Sequence, residues 1–163
     1  MGAVPERFDK LMAETEKLHH RNELAGTVGP DYFEPGMMEY LDQSDGVYDG
    51  ASGTLRLRFE AKGTRYEGRP EQIERVKTGD PIEVVREETN AYNPNNFTLL
   101  TKKRKNVGNM PAELCNAIAP LYDDGLLEIA DAHVSYVEPI SKRSRHARQA
   151  ILFVELLMRL KTE

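Results

Sequence analysis

The chain has 163 residues and a net charge of -5, with 39% hydrophobic and 30% charged residues. That balance suits one globular domain plus a modest extension and excludes a disordered chain. No apolar run approaches the ~20 residues of a membrane span, and MGAVPERFDK lacks the apolar centre of a secretory signal.

The lone cysteine, Cys115, leaves no intrachain disulfide framework, and a cytoplasmic setting without membrane contact is expected. Charge is uneven along the chain. Residues 1–53 hold four Lys/Arg against 11 Asp/Glu, a net of -7, whereas residues 54–163 carry a net of +2. Two basic clusters stand in the second part: Lys102-Lys103-Arg104-Lys105, and Lys142, Arg143, Arg145 and Arg148. Local clusters of this kind, rather than the total charge, set where a polyanion could dock.

From Pro5 to about Glu23, Phe8, Leu11, Met12, Thr15, Leu18 and His19 recur at helical spacing, which predicts an amphipathic helix. Residues 25–53 are acidic and punctuated by Gly and Pro, and they read as an extended or loosely ordered arm. Thr54 to Ala61 alternates Leu55, Leu57 and Phe59 with Arg56, Arg58 and Glu60, the signature of a half-buried strand. GTRYEGR is a loop, Gln72 to Val76 a short bridge and TGDP a turn. Strands are predicted over Ile82–Arg86, Phe97–Thr101 and Val107–Met110, with the loop NAYNPNN before the second and a basic hairpin loop, KKRKN, after it. Pro111 opens a helix with Glu113 in its first turn, and Gly125 closes it. Leu126 to Val137 is an imperfect strand, SKRSRHARQ a basic loop, and Ile151 to Leu160 a long apolar strand, with a helix as the alternative. The class is mainly β with α. Five to six strands around one inserted helix predict a small closed or nearly closed β-barrel over residues 54–163, with residues 1–53 as a helix and acidic arm outside it.

Enzyme signatures are missing. There is no GxxxxGK[ST], GxGxxG or HExxH, and His19, His20, His133 and His146 share no metal spacing with Cys115. Cys115 beside an apolar helix stripe reads as a small buried hydrophobe. No carboxylate pair stands out as acid and base. A non-catalytic protein without metal or cofactor is expected.

Two large rings, Tyr66 and Tyr92, sit in loops otherwise made of small and polar residues. Such rings either pack down as lids or stay free to stack on a ligand. Three stretches stand in order: Gly63-Thr64-Arg65-Tyr66, Asn90-Ala91-Tyr92-Asn93-Pro94-Asn95-Asn96, and Val107-Gly108-Asn109-Met110-Pro111-Ala112-Glu113-Leu114-Cys115. Together they resemble the HIRAN domain, a DNA-end-binding module with an OB-like barrel, over about residues 54–160. The family wording is close to G-x-R-Y, N-P-Y-D-x-N-A and V-G-x-[IVL]-P-x-E-L-A. The resemblance implies that Tyr66 stacks on a terminal base, Arg65 contacts phosphate or a base edge, Tyr92 walls the pocket and Asn93 receives the 3′-hydroxyl of a single strand. Asn90 and Asn109 belong to the same motifs and count as DNA-binding candidates. So do Lys102, Lys103 and Arg104 of the basic hairpin, whose other reading is a solvated tip. A later family aromatic near the final strand has no match here; Arg148 or Phe153 stands nearest, and Arg148 counts as a candidate. Three departures weaken the expected grip: Asn93 stands where the family has Asp, Ala112 where the founding member has lysine, and Asn109 where it has histidine.

A second reading makes the chain a protein-interaction module, in which the acidic arm contacts a partner or mimics nucleic acid and the barrel is a scaffold. Within the DNA-binding reading, the acidic residues 31–50 are instead expected to fold back over the Arg65/Tyr66 surface and compete with DNA.

Overall fold

Alternation decides the first long strand. The structure is a computed structural model that describes residues 46–49, 52–66 and 68–161. In it Thr54–Glu60 forms a strand, β2, with Leu55, Leu57 and Phe59 buried and Arg56 and Arg58 exposed. Before it comes a three-residue strand, β1, Val47–Asp49. That strand is a stretch of the predicted arm that pairs with β2 as an edge. The predicted helix over Pro5 to Glu23, and the arm up to residue 45, lie outside the described residues.

After β2 come a short helix α1, Arg69–Ile73, and the strands β3, Glu83–Glu87, β4, Asn96–Leu100, and β5, Asn106–Asn109. The helix α2, Ala112–Asp123, follows, then β6, Leu127–Glu138, and β7, Ile151–Leu160. The sequence reading missed α1, whose signals are only Pro70 at its start and Glu71 in its first turn. For β7 the predicted strand forms, and the helix alternative does not. Leu152, Val154, Leu156, Met158 and Leu160 face inward on a ladder flanked by β2 and β6, so a continuous apolar run becomes a central strand. The imperfect pattern of β6 has a cause too, since its register against β7 shifts between Ile129 and Asp131 and again between Val134 and Tyr136.

The predicted barrel is not closed. The strands form two antiparallel sheets, β1-β2-β7-β6 and β3-β4-β5. The sheets meet at isolated bridges, Lys62 with Asn109 and Pro81 with His133. Neither bridge extends into a ladder. At one, Gly63 turns the chain away with φ 69. At the other, Ile82 N–H donates to Ala132 O and Val134 N–H to Asp80 O, both at 2.9 Å, on either side of Pro81.

The core fills the space between the sheets, with Phe59, Leu57, Phe97 and Leu99 at or near zero exposure. Burying each such side chain contributes roughly 1.5–3 kcal/mol. α2 packs on β4 and β6 through Leu114, Ile118 and Leu121. Its end is a Schellman cap: Leu126 N–H donates to Leu121 O at 2.9 Å and Gly125 N–H to Tyr122 O at 3.1 Å, with Gly125 at φ 77. Cys115 is fully buried and its thiol donates to Met110 O at 3.4 Å. Burial pushes that thiol up to about 11, so it is an inert core group.

Candidate nucleic-acid interface

The loop after β2 is held by its smallest residues. Gly63 accepts at its carbonyl from Tyr66 N–H at 3.3 Å and from the Arg69 guanidinium at 2.8 Å. A Cβ on Gly63 would lie 2.7 Å from Arg69 Nη1, 3.2 Å from Tyr66 Cδ2 and 3.3 Å from Asn109 Nδ2. Thr64, only 2% exposed, donates to Ala150 O at 3.0 Å and ties the loop to the entry of β7. Lys62 and Asn109 exchange backbone hydrogen bonds of 2.9 Å in each direction. Gly108 makes this approach possible, because a Cβ there would meet Lys62 O at 2.8 Å.

This framework presents Tyr66. The residue is 56% exposed, and the guanidinium carbons of Arg65 and Arg69 lie 5.5 and 5.7 Å from its ring centroid. Both distances are within cation–π range. Burial lowers the pKa of Arg69 from its ordinary value, while Glu87 pulls the other way; the group stays cationic at neutral pH.

The second loop folds on its own asparagines. Asn90 Oδ1 accepts from the N–H groups of Tyr92 and Asn93, both at 2.9 Å, an Asx-type turn. Asn93 Oδ1 accepts from Asn95 N–H at 2.9 Å, and its amide donates to Asn116 Oδ1 at 3.1 Å. Arg86 braces the loop from below. It donates to Pro94 O at 2.6 Å and forms a bidentate pair with Asp123 at 3.0 and 2.9 Å. The hydrogen bond from Arg86 holds the Asp123 carboxyl below its usual range. At the loop's crest Tyr92 is 97% exposed, which removes the lid reading for that ring.

A half-buried polar relay joins the two loops. Glu87 Oε1 accepts from Thr98 Oγ1 at 2.7 Å, Asn96 Nδ2 at 2.7 Å and Asn90 Nδ2 at 3.0 Å. Asn96 Nδ2 also donates to Asn109 Oδ1 at 3.2 Å. The three sequence motifs thus converge: Asn109 lies against the Tyr66 loop, Asn96 bridges it to Glu87, and Glu87 holds the Asn90–Asn93 turn. The bond from Thr98 is the main reason the Glu87 carboxyl sits below the ordinary glutamate range; Asn96, Asn90 and the nearby Arg69 add to it. Sequence reasoning missed Arg69, Glu87 and Asn116. Asn96 was within a motif, but its role as a bridge was not legible.

The remaining candidates divide. Arg148 precedes by two residues Ala150, whose carbonyl accepts from Thr64. Within the basic loop 142–148 Arg143 is tied to Gln149 O and lies 3.5 Å from Glu138. The hairpin carrying Lys102, Lys103 and Arg104 is at the other end of β4 from Asn96, roughly 13 Å away at ~3.3 Å per strand residue. Arg104 is paired with Glu83. Among the described residues no group of His, Cys, Asp and Glu could hold a metal ion, and no helix is long and apolar enough to cross a membrane.

Two small antiparallel sheets carry an exposed cation-flanked ring on one loop and a second exposed ring on another, in a mainly β domain. The HIRAN domain profile matches residues 55–152, and the chain belongs to the HIRAN domain family. No curated protein matches the chain in sequence. Among solved structures, the crystal structure of the HIRAN domain of human HLTF is similar at 19% identity and a TM-score of 0.48, over 67% of this chain and 82% of that one. A crystal structure of a protein from Lactobacillus plantarum gives 17% identity and a TM-score of 0.49, over 64% of this chain and 98% of that one. The NMR structure of the HLTF HIRAN domain in its DNA-bound conformation gives 20% identity and a TM-score of 0.45, over 74% and 85%.

Proposed function

We propose that this HIRAN domain binds single-stranded DNA, or DNA at a 3′ end, without catalysing a reaction. One observation carries the reading: exposed Tyr66, flanked by Arg65 and Arg69, stands at one end of a polar relay whose other end holds exposed Tyr92. An exposed ring beside guanidiniums suits a base on the ring and a phosphate on the cation. Family membership supports it, since the HIRAN domain of human HLTF has a DNA-bound conformation. Arg148 and its neighbours would extend the phosphate contacts. A cytoplasmic setting is part of this reading.

Its test is fluorescence anisotropy with a short single strand bearing a free 3′-hydroxyl. Tyr66→Ala should cost roughly 1–3 kcal/mol, about fivefold to 150-fold in affinity. Tyr92→Ala should weaken binding as well, and affinity should fall with salt. A folded wild type that binds no strand at low salt would refute the reading.

One observation favours the second reading, a protein-interaction module. Asn93 Oδ1 already accepts from Asn95 N–H and its amide donates to Asn116, which leaves one lone pair, not two, for a 3′-hydroxyl. In that reading the acidic residues 31–50 meet a protein partner or mimic nucleic acid; in the DNA reading they would instead fold back over the Arg65/Tyr66 surface and compete with the strand. Removing residues 1–45 spares β1. Tighter DNA binding by that variant supports competition; unchanged binding opposes it.

A further inference from the structure

The basic hairpin is two-faced. Arg104 N–H donates to Thr101 O at 2.7 Å, Thr101 N–H to Lys105 O at 2.9 Å, and Arg104 is left-handed with φ 62. This turn sends Arg104 to Glu83. Lys102, Lys103 and Lys105 instead line a cleft of about 300 Å³, together with Gln72 and Arg75 at the end of α1. Val76, Pro81 and Ile82 supply its apolar lining. Asp80 is the one carboxylate that lines it, and its Oδ2 already accepts from Lys77 N–H at 2.9 Å.

Among the described residues, Arg75, Lys102, Lys103 and Lys105 have no ion-pair partner. Four unpaired cations around one carboxylate focus a positive field into the cleft and repel one another. An anion entering it removes that repulsion. The apolar lining asks for more than a bare ion, and the volume lies at the small end of ligand sites. A phosphate ester carrying a planar base meets both demands. Its phosphate would meet the lysines and the Arg75 fork, and its base would lie on Val76, Pro81 and Ile82, with the Gln72 amide at a base edge.

We propose that this cleft is a second phosphate-ester site, sized for one nucleotide unit and separate from the Tyr66–Tyr92 surface. The unit could come from a free nucleotide or from within a strand whose end is held at the other surface. Only the strand source rests on the DNA reading given above.

The test compares wild type with Lys102→Ala/Lys103→Ala/Lys105→Ala and, on the facing wall, Arg75→Ala. All four side chains are exposed, so the fold should persist, which circular dichroism checks. The probes are ADP by calorimetry and single strands of about 6 and about 24 nucleotides by anisotropy, bracketing the roughly 4–16 nucleotides one such module covers. Both variants should lose binding about tenfold or more for at least one of ADP and the long strand, while the short strand binds as before. Loss on ADP identifies a free nucleotide. Loss confined to the long strand identifies a strand, and its salt slope should then drop by about 0.7 in the triple variant, the share of the one phosphate the cleft holds. If neither ADP nor the long strand binds wild type more tightly than it binds both variants, the proposal is overturned. A wild type that binds ADP but not the short strand would refute the end-binding function and leave the cleft intact.

Discussion

The side-chain amide of Asn96 donates to the carboxylate of Glu87 at 2.7 Å and, from the same nitrogen, to Asn109 at 3.2 Å. This one asparagine links the loop that carries Tyr92 to the loop that carries Tyr66. Asn96 is 5% exposed and Thr98 8%, so both donors to Glu87 are cut off from water that could replace the carboxylate.

Glu87→Ala leaves those donors unsatisfied and should cost about 2–3 kcal/mol, whereas Glu87→Gln, which keeps an acceptor oxygen, should cost about 1 kcal/mol. The folded-state pKa of Glu87 is depressed below its ordinary 4.5. Its stabilising contribution is therefore complete above that value and is lost as pH falls through the lower folded-state pKa. Urea midpoints measured from pH 6 down to about pH 3 should fall for wild type and fall less for Glu87→Gln. Parallel curves would exclude Glu87 as the titrating group.

Two glycines should respond differently to alanine. Gly63 is left-handed, and the nearest obstacle to a Cβ is the mobile end of Arg69 at 2.7 Å. Gly63→Ala should cost about 1–2 kcal/mol and displace the guanidinium beside Tyr66, so DNA affinity should fall more than stability. At Gly108 the obstacle is the Lys62 carbonyl, backbone that cannot step aside. Gly108→Ala should cost more than Gly63→Ala, about 3 kcal/mol, by opening the Lys62–Asn109 bridge. Denaturant unfolding of the two variants side by side gives the order.

Arg104 holds a left-handed backbone at the hairpin tip without being glycine. Its pair with Glu83 is exposed and worth at most about 1 kcal/mol. Arg104→Gly trades that pair for a relaxed backbone and should change stability by less than about 1 kcal/mol. Arg104→Val, β-branched in the same conformation, should destabilise by about 1–2 kcal/mol. Equal midpoints for the two variants would show that the turn is not under strain.

Asn93→Asp tests the 3′-hydroxyl. A carboxylate at 93 can still accept from Asn95 N–H, and the Asn116 amide can turn to donate to it. It would also accept a sugar hydroxyl strongly and repel a terminal phosphate. The variant should bind a strand with a free 3′ end several-fold better than one with a 3′-phosphate, and wild type should discriminate less. Competition anisotropy with the two strands measures the ratio.

Local chemistry was enough for much of this protein. Alternation placed β2, since period 2 puts Leu55, Leu57 and Phe59 on one face whatever they pack against. Pro111 and Gly125 bounded α2, because ring geometry and positive φ act within a few residues. Motif order pointed to the HIRAN family. Tertiary structure alone decided what depends on partners far apart in the chain. It left two sheets touching at bridges where one barrel was expected, and it made β1 an edge strand. It assembled Glu87, Asn96 and Asn109 into a relay from three separate strands and set Arg69 near Glu87. It also split the basic run at 102–105, sending Arg104 to Glu83 and its neighbours to a cleft with Arg75. A side chain's type is written in the sequence, but its partner is chosen by the fold, because hydrogen bonds and ion pairs need approach within about 3 Å that only packing supplies.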